Sequence, residues 1–493
     1  MNNHTYALTI CPLNLPNSYS MADIFSHFAD KPWAMFLDSS DSQRQDGRFD
    51  IIVADPIACV TTIGDKSTVY RQEINQSQES SDNPLTLVQN LLEKYMPHSQ
   101  VTPTQNITLP FMAGALGLFG YDLGKRFERL PNKNLDEYST PDMAVGIYAW
   151  SVIKDNLKQQ FYLCYVDQYS HPSIEDIQQL VDKHKIPDSF SLTSQWQANM
   201  SQHQYTQKLA SISSYLQAGD CYQINLAQRF SAHYSGNEWQ AYQRLRSANQ
   251  APFSAFIRLA DSVVMSISPE RFLSVNEQVV QTKPIKGTRL RSNDAVEDQQ
   301  QIDSLLSAEK DQAENLMIVD LLRNDLSKHC QPGTVKVPEL FKLESFAAVH
   351  HLVSTVTGKL KTTSSALDLL QGAFPGGSIT GAPKVRAMQI IDELEPNNRN
   401  VYCGSIGYLG VFGDMDTNIC IRTLLCEKAP EKTLEELSEK SNEQANHQPI
   451  IHCWAGGGIV LDSNAKDEYQ ECLDKVSKIL PILSLESTAA RLG

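Results

Sequence analysis

No stretch of the sequence approaches the roughly 18 uninterrupted apolar residues of a membrane-spanning helix, so no membrane partner is expected. Basic charge is also scarce. Lysine and arginine number 42 against 57 acidic residues, a net charge of -15. A nucleic-acid footprint needs a basic face, so nucleic acid is not an expected partner either. The ten cysteines are scattered, with no C-x-x-C pair and no framework spacing. That argues against a disulfide scaffold or a zinc site and fits reduced thiols in a cytosol. The opening "MNNHTYALTICPLNLPNS" lacks a basic segment followed by an apolar one, so no secretory leader is expected and the expected location is cytoplasmic. What remains is a chain of 493 residues, 41% hydrophobic and 20% charged. That is the balance of a globular protein with a sizeable core, built as two or three domains or as one large unit.

The first 200 residues read as short strands separated by turns, among them "PWAMFLDSS", "FDIIVADP", "MAGALGLFGYDLG" and "GIYAWSVIKD". The polar stretch 71–83 reads as a loop. Near residue 200 the texture changes. Tyr205, Leu209, Ile212 and Leu216 recur at helical spacing, and Gly219 stands where a C-cap glycine belongs. From there to residue 482, strands and helices carry dense Gly, Glu, Arg and His signals. The expected organisation is an N-terminal portion 1–200, a second portion 201–482, and a tail 483–493. The charged stretch 427–448, between two apolar strands, reads as an inserted excursion.

Two acidic pairs stand out. In "SAEKDQAENLMIVDLLRNDL", Leu316, Ile318, Val319, Leu322 and Leu326 predict a helix with a broad buried face, and Asp311 and Glu314 share one side of it. In "LDSNAKDEYQECLDKVSKIL", Ser463 fits an N-cap and Glu468 and Glu471 share a face. Two such helices could meet around a hard cation such as Mg²⁺, and each pair equally fits a solvated acidic surface. The turn "GGSITGAPK" (376–384) has Gly/Ser/Thr character and places Pro383 near the start of a helix. It fits a small-anion site or a structural strand-to-helix turn, and it does not match a nucleotide P-loop. Arg422 lies in the apolar run "NICIRTLL", where a guanidinium needs a partner anion. His350 and His351 are adjacent on a predicted strand, so only one of them can face a given site. Finally, "KPIKGTRLRS" (283–292) sets Lys286 inside a tight Pro-Ile-x-Gly-Thr turn where everything else favours a small corner.

The segments "GDCYQINLAQRF", "SISPERFL", "PIKGT", "AENLMIVDLLRNDL", "GGSITGAPKVRAM", "GSIGYLGVFGDMDTNICIRTL" and "AGGGIVLDS" follow one another over residues 219–463. In that order they resemble the chorismate-utilising enzymes, a family that includes anthranilate, aminodeoxychorismate, isochorismate and salicylate synthases. The resemblance is dense over the C-terminal portion and looser before it. It implies an α+β fold with two stacked, mostly antiparallel sheets and helices outside. It also implies Glu314 and Glu471 as magnesium ligands with Asp311 and Glu468 beside them. Ser378, Thr380 and Gly381 would form a turn against the substrate. Tyr402, Arg422 and the backbone of Gly456, Gly457 and Gly458 would grip a second carboxylate. His351 would lie beside the ring, and Glu270 would protonate the departing 4-hydroxyl.

Within this family, anthranilate synthases carry alanine where Lys286 stands, and lysine marks the aminodeoxychorismate synthases. Their lysine attacks ring carbon 2 as the 4-hydroxyl leaves; ammonia then adds at carbon 4 and expels it. Isochorismate and salicylate synthases activate water with a lysine where this chain has Gln223. The resemblance therefore implies chorismate and ammonia as substrates, in 4-aminobenzoate and folate biosynthesis. It also implies a separate glutamine amidotransferase subunit, since no glutaminase signature is fused here. The competing expectations are an anthranilate synthase component and a non-catalytic chorismate-binding subunit. Ser39, Pro252, Phe253 and Ser254 correspond to the tryptophan pocket of anthranilate synthases. Phe253 and Ser254 replace the Tyr and Met usual there, so tryptophan is not expected to inhibit.

Overall fold

The computed structural model describes residues 6–16, 19–40, 47–105, 107–128, 130, 137–181, 188–345, 349–428 and 448–484. The 427–448 excursion and the 483–493 tail fall almost entirely outside the described residues.

Most strands join one of two large sheets, antiparallel except where Tyr6–Leu13 pairs in parallel with Val101–Pro103. The first sheet runs from Gln223–Ser235 and Ile450–Ile459 through Thr423–Glu427, Ser262–Ser268 and Phe253–Arg258 to Met35–Asp38, Phe49–Val53, Trp150–Asp155, Gln160–Val166 and Tyr6–Leu13. The second runs from Ile285–Leu290 and Val349–Lys359 through Val279–Thr282, Arg271–Asn276, Met415–Asn418 and Ser405–Gly410 to Gly114–Phe119, Met143–Tyr148, Ala58–Ile63, Lys66–Arg71 and Gln76–Ser80. Along these runs, strands from both sides of residue 200 thus contribute to each sheet, those after it in one block and those before it in the next.

The period-2 pleat decides where each side chain goes. In Phe49–Val53, Ile51 and Val53 enter a core between the sheets, with Val60, Leu116, Val145 and Leu273 of the second sheet. Ile52 points the other way, into a core beneath the outer helices that holds Phe25, Trp239 and Phe256. The first sheet is therefore covered on both faces, which is why its strands read as apolar runs rather than alternations. Fully burying one such side chain contributes about 1.5–3 kcal/mol. A third cluster seats the helices Gln202–Ala218 and Lys384–Leu394 on Ile224, Leu226 and Ile459. As expected from its sequence, Gln202–Ala218 ends at Gly219 in the left-handed region, φ 78°. Among the described residues no helix is long and apolar enough to cross a membrane, and all ten cysteines are free.

Several local expectations change. The 71–83 stretch contains a strand, Gln76–Ser80, paired with Lys66–Arg71 at the sheet's edge. Most of its side chains are exposed, so it has no buried face to impose alternation. In the helix Glu309–His329, Leu316 is 48% exposed, and Asn315 and Asp325 are buried instead. Asn464, not Ser463, caps the helix Ala465–Val476, accepting from the N–H groups of Lys466 and Asp467. Ser463 instead donates its hydroxyl to Glu468 at 2.6 Å.

Two strand pairs cross between the sheets side by side. Ser262–Ser268 leaves the first sheet through Pro269 and Glu270 and enters the second as Arg271–Asn276. Met415–Asn418 makes the reverse passage through residues 419–422 to Thr423–Glu427. The crossings are tied together: Ile419 N–H donates to the Glu270 carbonyl at 3.0 Å, and Ile267 N–H to that of Arg422 at 3.0 Å. The Ser268 hydroxyl donates to the Ile419 carbonyl at 2.6 Å. Arg422 thus sits in a kink with left-handed backbone, φ 52°, rather than inside a strand. Such strained conformations persist where the surrounding structure over-determines them.

Candidate active site

Lys286 does not sit in a hairpin turn. In Ile285–Leu290, Ile285 pairs with Val353 and Thr288 with His351, so Lys286 and Gly287 together face the single residue Leu352. This is a β-bulge, a device that re-aims a side chain out of the pleat. Gly287 has φ +83°, and a Cβ there would stand 2.9 Å from Leu305 and 3.1 Å from Asp311. The bulge is therefore pressed against the helix that carries Asp311 and Glu314.

Glu270, at the crossover, is 7% exposed and accepts from the Ile285 N–H, next to Lys286. Burial pushes its carboxyl up to about 7, with the nearby Lys286 opposing the rise. A carboxyl poised there can hold a proton at neutral pH and release it to a departing oxygen. His351, almost fully buried, shares a 2.9 Å hydrogen bond through Nδ1 with the Thr288 hydroxyl, two residues beyond Lys286. His350 faces away and is bonded to Ser345 and Asp298. The pleat turns the two histidines to opposite sides, His351 toward the bulge strand and His350 away from it.

Across from this strand side, the two acidic helices converge. Burial raises the Glu314 carboxyl; Glu471 and Asp311 repel it further, while Lys286 and Lys310 counteract. Burial also pushes Glu471 upward, but Lys475, Lys286 and Lys310 outweigh it and hold that carboxyl below its ordinary range. Lys475 bonds Glu471 at 2.7 Å and the Gly456 carbonyl at 2.8 Å, and Lys310 approaches Glu468 to 3.5 Å. Asp311 stands 3.3 Å from Arg289, and its Oδ2 is buried without a hydrogen bond. Lys286 is thus close enough to Glu270, Glu314 and Glu471 to influence all three. Among the described residues no three acidic, histidine or cysteine groups are gathered closely enough to cage an ion. Two carboxylates with water and substrate completing the shell is nonetheless how Mg²⁺ is ordinarily held. The oxygen donors of the two helices fit it, with Asp311 Oδ2 already paired to Arg289.

The remaining expected residues close the cleft. Gly456–Gly458 pairs with Asn225–Ala227. A Cβ on Gly457 would meet Glu468 at 3.3 Å and Glu471 at 3.7 Å, so this backbone borders the acidic cluster. A Cβ on Gly458 would collide with the Gln223 side chain. The anion turn is not a helix N-terminus. It is a 3-10 turn, Gly377–Ile379, followed by a two-residue strand, Gly381–Ala382, and the helix begins only at Lys384. No acceptor meets the N–H of Gly377 or Ser378 among the described residues. The fully buried Thr380 turns its hydroxyl inward, to the Gly376 carbonyl at 3.0 Å. Tyr402 is 3% exposed and stacks on Trp454, ring centroids 6.3 Å apart. Burial lowers the Arg422 guanidinium from its ordinary range, and no acceptor meets its guanidinium among the described residues.

Sequence reasoning missed the lysines. Lys475 follows Glu471 by four residues, a helical pairing that spacing could have suggested. Lys310 precedes Glu314 by four and carried the same signal.

A second cavity, about 520 Å³, lies between the sheets away from this cleft and is lined by Asp38, Pro252, Phe253, Ser254, Arg271, Tyr408 and Asp416 among others. Ser39 does not line it; its hydroxyl donates to Asp50 at 2.6 Å.

The family profile described as "chorismate binding enzyme" matches residues 36–481. The chain is 49% identical over 458 residues to aminodeoxychorismate synthase component 1 of Escherichia coli strain K12, covering 92% of this chain and 94% of that one. It is 49% identical over 451 residues to the protein of the same name from Salmonella typhimurium strain LT2, covering 91% and 92%. Among solved structures, it superposes on anthranilate synthase component I from Streptococcus pneumoniae TIGR4 with a TM-score of 0.70 at 30% identity, covering 88% of this chain and 92% of that one. The chain belongs to the chorismate-binding enzyme family.

Proposed function

We propose that this protein aminates chorismate at ring carbon 4, the reaction for which its relatives in Escherichia coli and Salmonella are named. The observation that carries the reading is Lys286 on its bulge, next to the buried acid Glu270 and within reach of Glu314 and Glu471. Anthranilate synthases have alanine there and need no amine from the protein.

The Lys286 amine forms a bond to ring carbon 2 while both ring double bonds shift and the 4-hydroxyl leaves as water with a proton from Glu270. Ammonia then bonds to carbon 4, both double bonds shift back, and the lysine departs with its electron pair. Arg422, which meets no protein anion among the described residues, takes a substrate carboxylate as a bidentate fork. The N–H groups of Gly377 and Ser378 are open to an anionic group in the same cleft. Glu314 and Glu471, with Asp311 and Glu468 beside them, would hold Mg²⁺. Bound there, the ion neutralises the ring carboxylate and fixes the ring. A separate amidotransferase supplies ammonia, free ammonium replaces it in vitro, and the product feeds 4-aminobenzoate and folate synthesis in the cytoplasm.

The test is to incubate the purified chain with chorismate, Mg²⁺ and ammonium, and to identify the product by mass and ultraviolet spectrum. Aminodeoxychorismate supports the reading. Anthranilate would assign the chain to the other branch, and no turnover even with an amidotransferase would leave only a binding subunit.

A further inference from the structure

Arg399 is the buried cation nearest the anion turn, and nothing in the proposed chemistry uses it. It lies in "EPNNRNVYCG", outside regular secondary structure, and is 1% exposed. Its guanidinium is fully engaged. Nε and one Nη form a fork with Glu395 at 2.9 and 2.7 Å. The other Nη donates to the Ile379 carbonyl at 2.9 Å, and the first Nη also donates to the Asn225 carbonyl at 2.8 Å. The plane stacks over Tyr121 at 4.7 Å and faces Tyr402 at 5.7 Å. Glu395 in turn accepts from the Ala227 N–H at 2.8 Å, directly opposite Gly456 in the sheet. Asn225 N–H donates to the Thr380 carbonyl at 2.8 Å.

Two consecutive carbonyls of the turn, those of Ile379 and Thr380, are thereby committed to the protein side. A carbonyl dipole turned toward an anion repels it, whereas an N–H attracts it. Holding both carbonyls away leaves the unbonded N–H groups of Gly377 and Ser378 as the turn's electrostatic face. The same pair fixes the strand Gln223–Ser235 opposite Gly456–Gly458. One guanidinium therefore sets the relative position of two backbone segments that the substrate would touch, without touching substrate itself.

We infer that Arg399, braced by Glu395, is a positioning residue that orients the 376–381 turn for binding the substrate anion. This rests on the proposed chorismate chemistry and predicts a specific kinetic signature. Lys286 lies on another strand and Glu270 at a crossover between strands, so loss of the fork weakens substrate binding more than it slows the chemical step. A hydrogen bond to a charged group contributes about 1.5–3 kcal/mol, equivalent to about a 10- to 100-fold change in KM.

The experiment compares wild type with Arg399→Lys, which keeps the charge and loses the fork. Chorismate binding to the wild type is first measured by calorimetry, then KM for chorismate, KM for ammonium and kcat for each protein. The expected result for Arg399→Lys is a chorismate KM raised at least tenfold, with kcat and the ammonium KM within about threefold. Unpairing a buried ion can unfold a protein, so Glu395→Gln combined with Arg399→Gln serves as the second variant. It leaves no buried charge unpaired and is expected to retain the fold. It cannot serve both carbonyls, and it should show the same KM increase. Folded variants with a wild-type chorismate KM, or with kcat reduced at unchanged KM, overturn the inference and leave the proposed function standing. A wild type that binds no chorismate overturns both.

Discussion

The two walls of the cleft are built on different terms. On the strand wall, Glu270, Lys286 and Arg422 are aimed by irregularities of the sheets: a crossover, a bulge and a kink with left-handed backbone. These positions are fixed by backbone hydrogen bonds on both sides. On the helix wall, Glu314, Asp311, Glu468 and Glu471 project from two regular helices and are partly neutralised by Lys310 and Lys475. The Glu471 side chain is 54% exposed, whereas Glu270 is 7% exposed. In the proposed chemistry, bond making and proton transfer need fixed geometry, which the strand wall offers. Mg²⁺ held with its waters would need a carboxylate that can adjust, and the exposed Glu471 is the one on the helix wall that can, since Glu468 is buried and held by Ser463.

The sharpest way to break this comparison is Lys286→Ala. If the strand wall carries the covalent step, aminodeoxychorismate formation should fall by more than about 10³-fold, while chorismate binding stays within about tenfold. Product analysis by mass decides it. An alanine variant that still aminates carbon 4 would show that the bulge lysine is not the nucleophile.

Next in size is Glu270→Gln, expected to lower kcat by about 10²- to 10⁴-fold. Its pH dependence has a defined sign. Burial pushes the Glu270 carboxyl up to about 7, and the proposed mechanism uses its acid form. Rising pH above 7 should therefore depress kcat/KM along a limb that disappears in the Gln variant. Stability carries the same signature. An unfolded carboxyl ionises near 4.5, so between that value and 7 the folded state holds the proton and the unfolded state does not. Stability consequently falls as pH rises through this window, by at most ~3 kcal/mol. Glu270→Gln should remove that loss and melt higher than wild type at pH 8. Equal melting temperatures at pH 5 and pH 8, in both proteins, would show that burial does not perturb this carboxyl.

The contrast between the walls also explains how much could be read beforehand. The helix wall was legible: spacing alone put Asp311 with Glu314 and Glu468 with Glu471. Periodicity likewise located the helix ending at Gly219. The strand wall was legible only through resemblance. A bulge is defined by pairing with Val349–Lys359, more than 60 residues away, and no local pattern announces it. Arg422 looked like an arginine inside a strand because Ile419, Cys420 and Ile421 are apolar. They are apolar because the chain there passes through the core between the sheets. Arg399 gave no signal beyond its spacing of four from Glu395, since its other partners, Ile379 and Asn225, are distant backbone carbonyls. The edge strand Gln76–Ser80 was read as a loop because pairing in a sheet does not require an apolar face.

On the helix wall, Glu471→Gln should raise the Mg²⁺ concentration for half-maximal activity by about 10- to 100-fold, with activity at saturating ion largely recovered. Titration of Mg²⁺ against initial rate checks this. An unchanged requirement would remove Glu471 from the ion's shell and with it the division of labour between the walls.

The smallest effect is expected at the second cavity. Its charged lining is already engaged within the protein. Arg271 holds Asp416 through two contacts, 2.9 and 3.0 Å, and Asp38 is bound by Arg246 and by Tyr242 at 2.9 Å. An amino acid entering there finds apolar walls for its side chain but must break one of these pairs to gain a charged partner. Phe253 packs under Arg271 at 4.9 Å, which further confines that guanidinium. The cavity shares no residue with the cleft, and its lining strands approach the catalytic segment at Arg271, beside Glu270, and at Asn418, just before Ile419. Tryptophan at micromolar concentration should therefore leave the rate unchanged. Inhibition in that range would mean that displacement of Arg271 reaches Glu270 through one peptide unit, coupling the fixed wall to a site that the comparison treats as independent.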